Sequence, residues 1–343
     1  MTTDRVFFLS FFLFSAFCSR AGAGGPGTTG ADLLLESFDP RVLALGRAVA
    51  AQPADLGAAE LNPAALSGMA ASEYAFVHQI SWTGAGLDRL SFLRRPAKSG
   101  VWALSFVRRG LPRVDNGVSN PEEDPPLEAW DAAISVDWGQ PGFRARRLGF
   151  GLTGGLSRLG TVQSGWGAVG AGIQWDPKPA FTLGFAVRNL GLGPAFGGTK
   201  APLPVHAVGG LSRRLGFRGT QSLSLMGSAG WQRGPGPWAG LGGEWARPGR
   251  LKLRAGWRLS AEENLASGPS LGLSFERRLP ALRLVFDYAW KPASSGLGAL
   301  HFNHQIGLHL VMEKTPQAAA IPAVLSPTPE PSSAPAPGVT PAP

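Results

Sequence analysis

Asp131, Asp137, Arg188, Glu244, Lys252, Arg254, Arg258, Glu276, Arg283 and Asp287 stand in segments that alternate polar with apolar, so within each segment the charges share one side of an extended chain. Both signs are present, and a charge without a partner is costly away from water. The set therefore reads as a network that pairs across strands and pins another part of the chain, with a polar permeation path as the alternative. His301 and His304 invite a metal, but residues three apart on a strand point to opposite faces and cannot share an ion without a bulge. No Ser-His-Asp pattern, nucleophile elbow or phosphate-binding loop accompanies them, so we expect no enzyme, no cofactor and no metal.

The elements that would carry these charges are strands. In LKLRAGWRL, Leu251, Leu253, Ala255, Trp257 and Leu259 fall on one face and Lys252, Arg254, Gly256 and Arg258 on the other. The pattern returns at Leu282, Leu284, Phe286, Tyr288 and Trp290, opposed by Arg283, Val285, Asp287 and Ala289. It returns again at Phe302, His304, Ile306, Leu308, Leu310 and Met312. Fourteen such segments are legible: 73–82, 87–95, 101–109, 128–138, 147–157, 165–175, 181–189, 205–214, 222–232, 238–246, 251–259, 270–278, 281–290 and 301–312. Segments of about 9–11 residues, tilted, cross a bilayer core. Tryptophans Trp82, Trp130, Trp138, Trp166, Trp175, Trp238, Trp245 and Trp290 sit at segment ends, where an aromatic girdle meets lipid headgroups. The expected fold is all-β: an antiparallel transmembrane barrel of fourteen strands. The glycine-rich stretches 147–175 and 238–246 alternate poorly, which leaves twelve as the other count. Beyond the leader, no run of apolar residues reaches the ~18–20 that a spanning helix needs.

Outside the barrel, residues 1–23 read as a signal peptide: Arg5, an apolar run from Val6 to Phe17, and Ala21-Gly22-Ala23 before cleavage at Gly24. Phe17 is too bulky for a lipoprotein signal at Cys18, and the leader takes the only cysteine with it. Residues 24–71 lack alternation and form an N-terminal plug. There Asp39-Pro40 caps a helix whose Val42, Leu45 and Val49 share a face up to Pro53, and Asn62-Pro63 opens a one-turn helix ended by Gly68. Residues 72–313 are the barrel, and 314–343 a proline-rich periplasmic tail. The formal charge of +9 would raise nucleic acid as a partner, but export and the absence of any zinc-finger spacing or aromatic RNA motif exclude it. Fourteen of the 32 cations cluster in the connections after even strands: Arg94, Arg95 and Lys98; Arg144, Arg146 and Arg147; Arg213, Arg214 and Arg218; Arg247 and Arg250; Arg277, Arg278 and Arg283. The connection from Gly110 to Pro126 carries Asp115, Glu122, Glu123 and Asp124 instead. Arginines at strand ends that snorkel to water are the plainer reading, a basic docking ring the other.

The run GTTGADLLL from Gly27, RVLALGRAVAA from Arg41 and LNPAALSGM from Leu61 resembles the opening of the PorV/PorQ family of outer-membrane proteins. VRNLG at Val187, PLPVHAVGGLSRRL at Pro202, LRAGWRL at Leu253 and LVFDYAW at Leu284 extend the likeness to about Met312. The plug motif consists of Gly27, Thr28, Thr29, Gly30, Ala31, Asp32, Arg41, Asn62, Pro63 and Ala64. Leu61 departs from the family's aromatic, and Ala65 from its glycine. A C-terminal barrel-assembly signal reads as Gln305, Gly307, Leu310 and Met312, the last in place of Phe or Tyr. The resemblance implies a FadL-like barrel plugged by its own N-terminus, in the outer membrane of a diderm bacterium. It implies an accessory of protein export or surface attachment of type IX kind. The partners would be outer-membrane lipids, the barrel-assembly machinery, and secreted proteins or secretion-complex components. Uptake of a hydrophobic ligand, or a purely structural barrel, are the alternatives.

Overall fold

The computed structural model describes residues 27–81, 83–96, 100–111, 128–142, 145–216, 219–261, 267–294 and 300–312. The leader, the tail, Trp82, Lys98, Arg144, Arg218, the acidic residues after Leu111 and the His301 side chain lie outside them. Among the described residues sixteen strands follow in chain order: β1 (Ser72–Ile80), β2 (Gly86–Arg94), β3 (Val101–Gly110), β4 (Ala129–Pro141), β5 (Arg146–Leu159), β6 (Val162–Lys178), β7 (Phe181–Leu192), β8 (Ala195–Phe196), β9 (Thr199–Lys200), β10 (His206–Gly216), β11 (Ser222–Gln232), β12 (Gly236–Arg247), β13 (Leu251–Ser260), β14 (Gly268–Arg278), β15 (Leu282–Ser294) and β16 (Leu300–Met312). Fourteen close into one antiparallel barrel, while β8 and β9 pair only with each other. The seam is β1 against β16, with Ser72 opposite Met312 and Ile80 opposite His304. Every expected strand is present, which fixes the count at fourteen. We call the end where β1 starts and β16 stops the near rim, and the other the far rim.

Alternation decides what faces where. On β13, Leu253, Trp257 and Leu259 are 48%, 51% and 59% exposed, whereas Arg254 and Arg258 are 4% and 8%. The outer face is apolar around the wall, from Phe76 and Leu90 to Leu241, Phe275 and Leu308, as a lipid-facing surface must be. Leu241, outward in mid-strand on β12, gives a direct check. Leu241→Arg is expected to cost ~2–4 kcal/mol of folding free energy in a bilayer, read as a lowered denaturant midpoint for refolding into vesicles.

Two tryptophans correct the girdle expected from the sequence. Trp166 and Trp238 point inward, 7% and 4% exposed. Their indole N–H groups donate to Ser157 Oγ at 3.1 Å and to His206 Nε2 at 3.2 Å. Trp102, Trp175 and Trp257 do lie on the outer surface.

The N-terminal segment runs through the lumen from far rim to near rim. A 3-10 turn spans Asp32–Leu35, α1 is Pro40–Ala44, and further 3-10 turns cover Ala58–Glu60 and Pro63–Gly68. Asp39 caps α1 by accepting from Arg41 N at 2.8 Å. The helix is much shorter than the apolar spacing suggested, because Gly46 and Arg47 adopt positive φ, 61° and 62°, and turn the chain. Val42, Leu45 and Val49 nonetheless share one buried cluster.

Candidate functional site in the plugged lumen

At the near half of the lumen the plug is held by charge. Arg41 of α1 donates to Glu244 on β12 from Nε at 2.8 Å and Nη2 at 3.1 Å, and pairs with Asp55 of the plug itself. Arg254 on β13 donates to the same Glu244 at 2.7 Å and to Asp287 on β15 at 2.5 Å. His309 on β16 lies 3.5 Å from Asp287 and 2.6 Å from Glu73 on β1, carrying the network across the barrel seam. Lys252 and Arg283 flank Glu276 at 2.8 and 3.1 Å. Arg188 pairs with Asp137 at 2.9 Å and donates to Ala59 O at 2.5 Å. Arg258 instead lies over Trp238, 5.2 Å from its centroid, with Arg47 at 5.6 Å. Of the charges singled out from the sequence, Asp131 belongs to the far half, where it accepts from Leu33 N at 3.3 Å and also from Ser157.

Amide side chains and missing side chains do the rest. Asn62 accepts from Ala64 N at 3.1 Å and donates to Ala50 O at 2.8 Å and Ile173 O at 3.2 Å, so it is both cap and brace. Asn62→Ala is expected to cost about 2 kcal/mol, the upper end for an N-cap. Hydrogen exchange should then rise at residues 61–68 while the barrel stays assembled. Gln305 is fully buried and donates to Ser37 O at 2.6 Å and to Gln79 on β1. Gly307 faces Pro40 of the plug, whereas Leu310 and Met312 point outward. Gly149 and Gly184 let plug backbone touch the wall, because a Cβ on either would collide with Ala64 N or Ala50 O.

Sequence reasoning missed Glu60, Arg47 and Arg89. Glu60 accepts from Ser37 Oγ at 2.9 Å and Phe38 N at 2.8 Å. Burial pushes its carboxyl up to about 7, against the pull of Arg47 and Arg89. Glu60 and Arg47 lie in a segment without periodicity and give no sign of this, whereas Arg89 shares the inward parity of Leu87 and Ser91 on β2 and could have been found by it.

The far half combines charged groups at its mouth, among them Asp32, Glu36, Arg109 and Lys291, with an apolar cluster beside them. Ala31, Leu33, Leu87, Val107, Ala133, Trp166, Ala168 and Leu203 form one cluster, joined by Leu34 and Phe38. The plug motif supplies part of it: Gly30 N donates to Pro202 O at 3.0 Å, Ala31 is buried at φ 56°, and Thr29 lies against Gly234. Burial raises the Asp32 carboxyl above its ordinary value, opposed by Arg109. Gly27 lines the far mouth, and Thr28 stands beside it at the start of the described chain. The wall is interrupted here. His206 pairs with Arg188, but β7 runs on to Leu192, so Leu190–Leu192 pair with β6 and not with β10. Pro202 and Pro204 have no N–H to extend the ladder. Leu203, 1% exposed, fills the gap, and Asn189, at φ 63°, donates to Pro204 O at 3.1 Å. A cavity of about 270 Å³ opens at the far mouth, and one of about 860 Å³, walled by the charged network, at the near rim.

No family model and no curated protein matches the sequence. Solved structures do match. The toluene transporter TbuX of Ralstonia pickettii superposes with a TM-score of 0.57 at 15% identity, over 81% of this chain and 99% of that one. The toluene transporter TodX of Pseudomonas putida gives 0.53 at 12%, over 80% and 97%, and a FadL homologue of Pseudomonas aeruginosa gives 0.51 at 14%, over 81% and 98%. The fold is FadL-like. At such identities the FadL-like likeness concerns the path of the backbone and not the side chains that meet a ligand.

Proposed function

We propose that this protein is an outer-membrane barrel that admits an apolar small molecule at the far mouth and releases it sideways into the membrane. The near rim then faces the periplasm, since an even number of strands returns the chain to the side where it began. The β7–β10 gap carries this reading: an apolar cluster in the lumen reaches the wall where Leu203, and not a ladder of hydrogen bonds, closes it. A molecule leaving there passes from one apolar environment to another, whereas the near route crosses a dense set of ion pairs. The solved toluene transporters of the same fold support it. Cells producing the protein are expected to take up radiolabelled toluene several times faster than cells without it. Leu203→Asp should return the rate to background while the barrel remains heat-modifiable on gels. Uptake equal to that of control cells would overturn the reading.

A second reading rests on the plug motif, Gly27–Asp32 with Arg41 and Asn62-Pro63-Ala64, whose resemblance to PorV/PorQ proteins favours an accessory role in export or surface attachment of secreted proteins. Co-purification of secreted proteins with the tagged barrel, lost on changing the far mouth, would favour it over uptake.

A further inference from the structure

We propose that the outer surface of the near rim is a binding belt for anionic phospholipid of the phosphatidylglycerol class, in the leaflet facing the periplasm. The proposal rests on the membrane placement above but not on the cargo. Arg94, Arg146, Arg213, Arg247 and Arg277 stand at the near ends of β2, β5, β10, β12 and β14. Each is exposed and shares the parity of outward residues on its strand, Arg94 with Leu90 and Arg277 with Leu271 and Phe275. Acids close to this rim turn the other way. Glu73, Asp137, Glu244, Glu276 and Asp287 face the lumen, and Asp176 holds Arg147 and Thr182. No carboxylate of the described residues pairs with any of the five arginines. The far rim is arranged differently: Arg108 stands opposite Asp88 across β2 and β3, and Asp88 binds His78 at 2.7 Å.

Aromatic rings accompany the belt. Arg94 is in register with Trp102, Arg146 with Trp175 and Arg213 with Phe181. Trp102 in turn meets Trp138 at 6.0 Å. An indole at headgroup depth beside a guanidinium places the fork level with phosphate, which it binds through two parallel N–H···O bonds. Snorkelling to water alone would suit charges of either sign. Here the arginines of the outer surface have no acids among them, the rim's carboxylates facing the lumen where they meet cations of their own, so the complementary surface is an anionic leaflet.

The tryptophans report on the belt directly. The protein is refolded into bilayers containing phosphatidylglycerol or phosphatidylcholine with brominated chains, and quenching of tryptophan fluorescence gives the relative affinity of the wall for each lipid. The wild type is expected to prefer phosphatidylglycerol by on the order of fivefold, with the preference shrinking in high salt. A variant with all five arginines changed to Gln should quench equally with both lipids. If that variant does not fold, Arg146→Gln with Arg277→Gln should show a reduced preference. Equal quenching of the wild type by both lipids, or a preference unchanged in the variants, overturns the proposal. A periplasmic protein that binds through these arginines while quenching shows no lipid preference overturns it too, in favour of protein docking. A wild type that does not insert into bilayers would instead remove the membrane placement itself.

Discussion

Arg254→Glu is expected to be the most damaging single charge change in this protein. The side chain is 1% exposed and lies between Glu244 and Asp287, with Arg41 of the plug on the far side of Glu244. Removing one partner of a buried pair costs about 3–5 kcal/mol, since it leaves the other charge buried and unpaired. Reversal adds a third carboxylate beside two others, so the loss should reach at least the top of that range. The measurement is refolding yield in bilayers, with plug seating followed by protease access to residues 39–55 from the near rim. Arg254→Lys retains the charge but loses the fork that serves two carboxylates, and should fall between the two. Wild-type yield and protection for Arg254→Glu would mean that the lumen network does not hold the plug.

Gly149→Val is expected to have an effect of similar size by a different cause. The wall approaches plug backbone so closely at Gly149 that even a Cβ collides with Ala64 N, in the turn capped by Asn62. Overpacking typically costs about 1–3 kcal/mol. Here the obstructed atoms are backbone, so relief requires the Pro63–Gly68 turn to leave its seat. The barrel outside that turn has no reason to fail. The expected signature is therefore a folded barrel with raised single-channel conductance, whereas Gly154→Val, with no atom crowding it from the plug, should conduct as the wild type does.

The strands were legible because a period of two is enforced residue by residue when one side meets lipid and the other a filled lumen. Leu253 against Arg254 is a decision each position makes alone. Trp166 and Trp238 lie near segment ends, as girdle residues do, but their parity turns them inward. Trp238 shares the parity of Glu244 and Trp166 that of Gln174, and both partners are buried. The plug was legible at its caps, Asp39 and Asn62, where a side chain bonds two residues onward. It was not legible in helix length, which two residues of positive φ decide, nor in its contacts. Arg41 finds Glu244 across 203 residues of chain, and nothing local to either marks the other. The β7–β10 gap is written in Pro202 and Pro204, whose missing N–H groups cannot extend the ladder.

Gln79 and Gln305 stand on the first and last strands and reach the lumen through Ser37, while Glu73 and His309 bridge the same two strands nearby. The join that turns a sheet into a cylinder is thus lined with polar groups, of which Gln305 completes its bonds only when Ser37 already occupies the interior. This sets an order of events in time. Were the cylinder to close empty, Gln305 would lack its bond to Ser37 O, and a buried amide would stay unsatisfied until the segment arrived. The plug is then expected to act as a mandrel, seated while the sheet is still open and rolled in as β16 meets β1. Export from the N-terminus first delivers the parts in that sequence, the filling before the fastening.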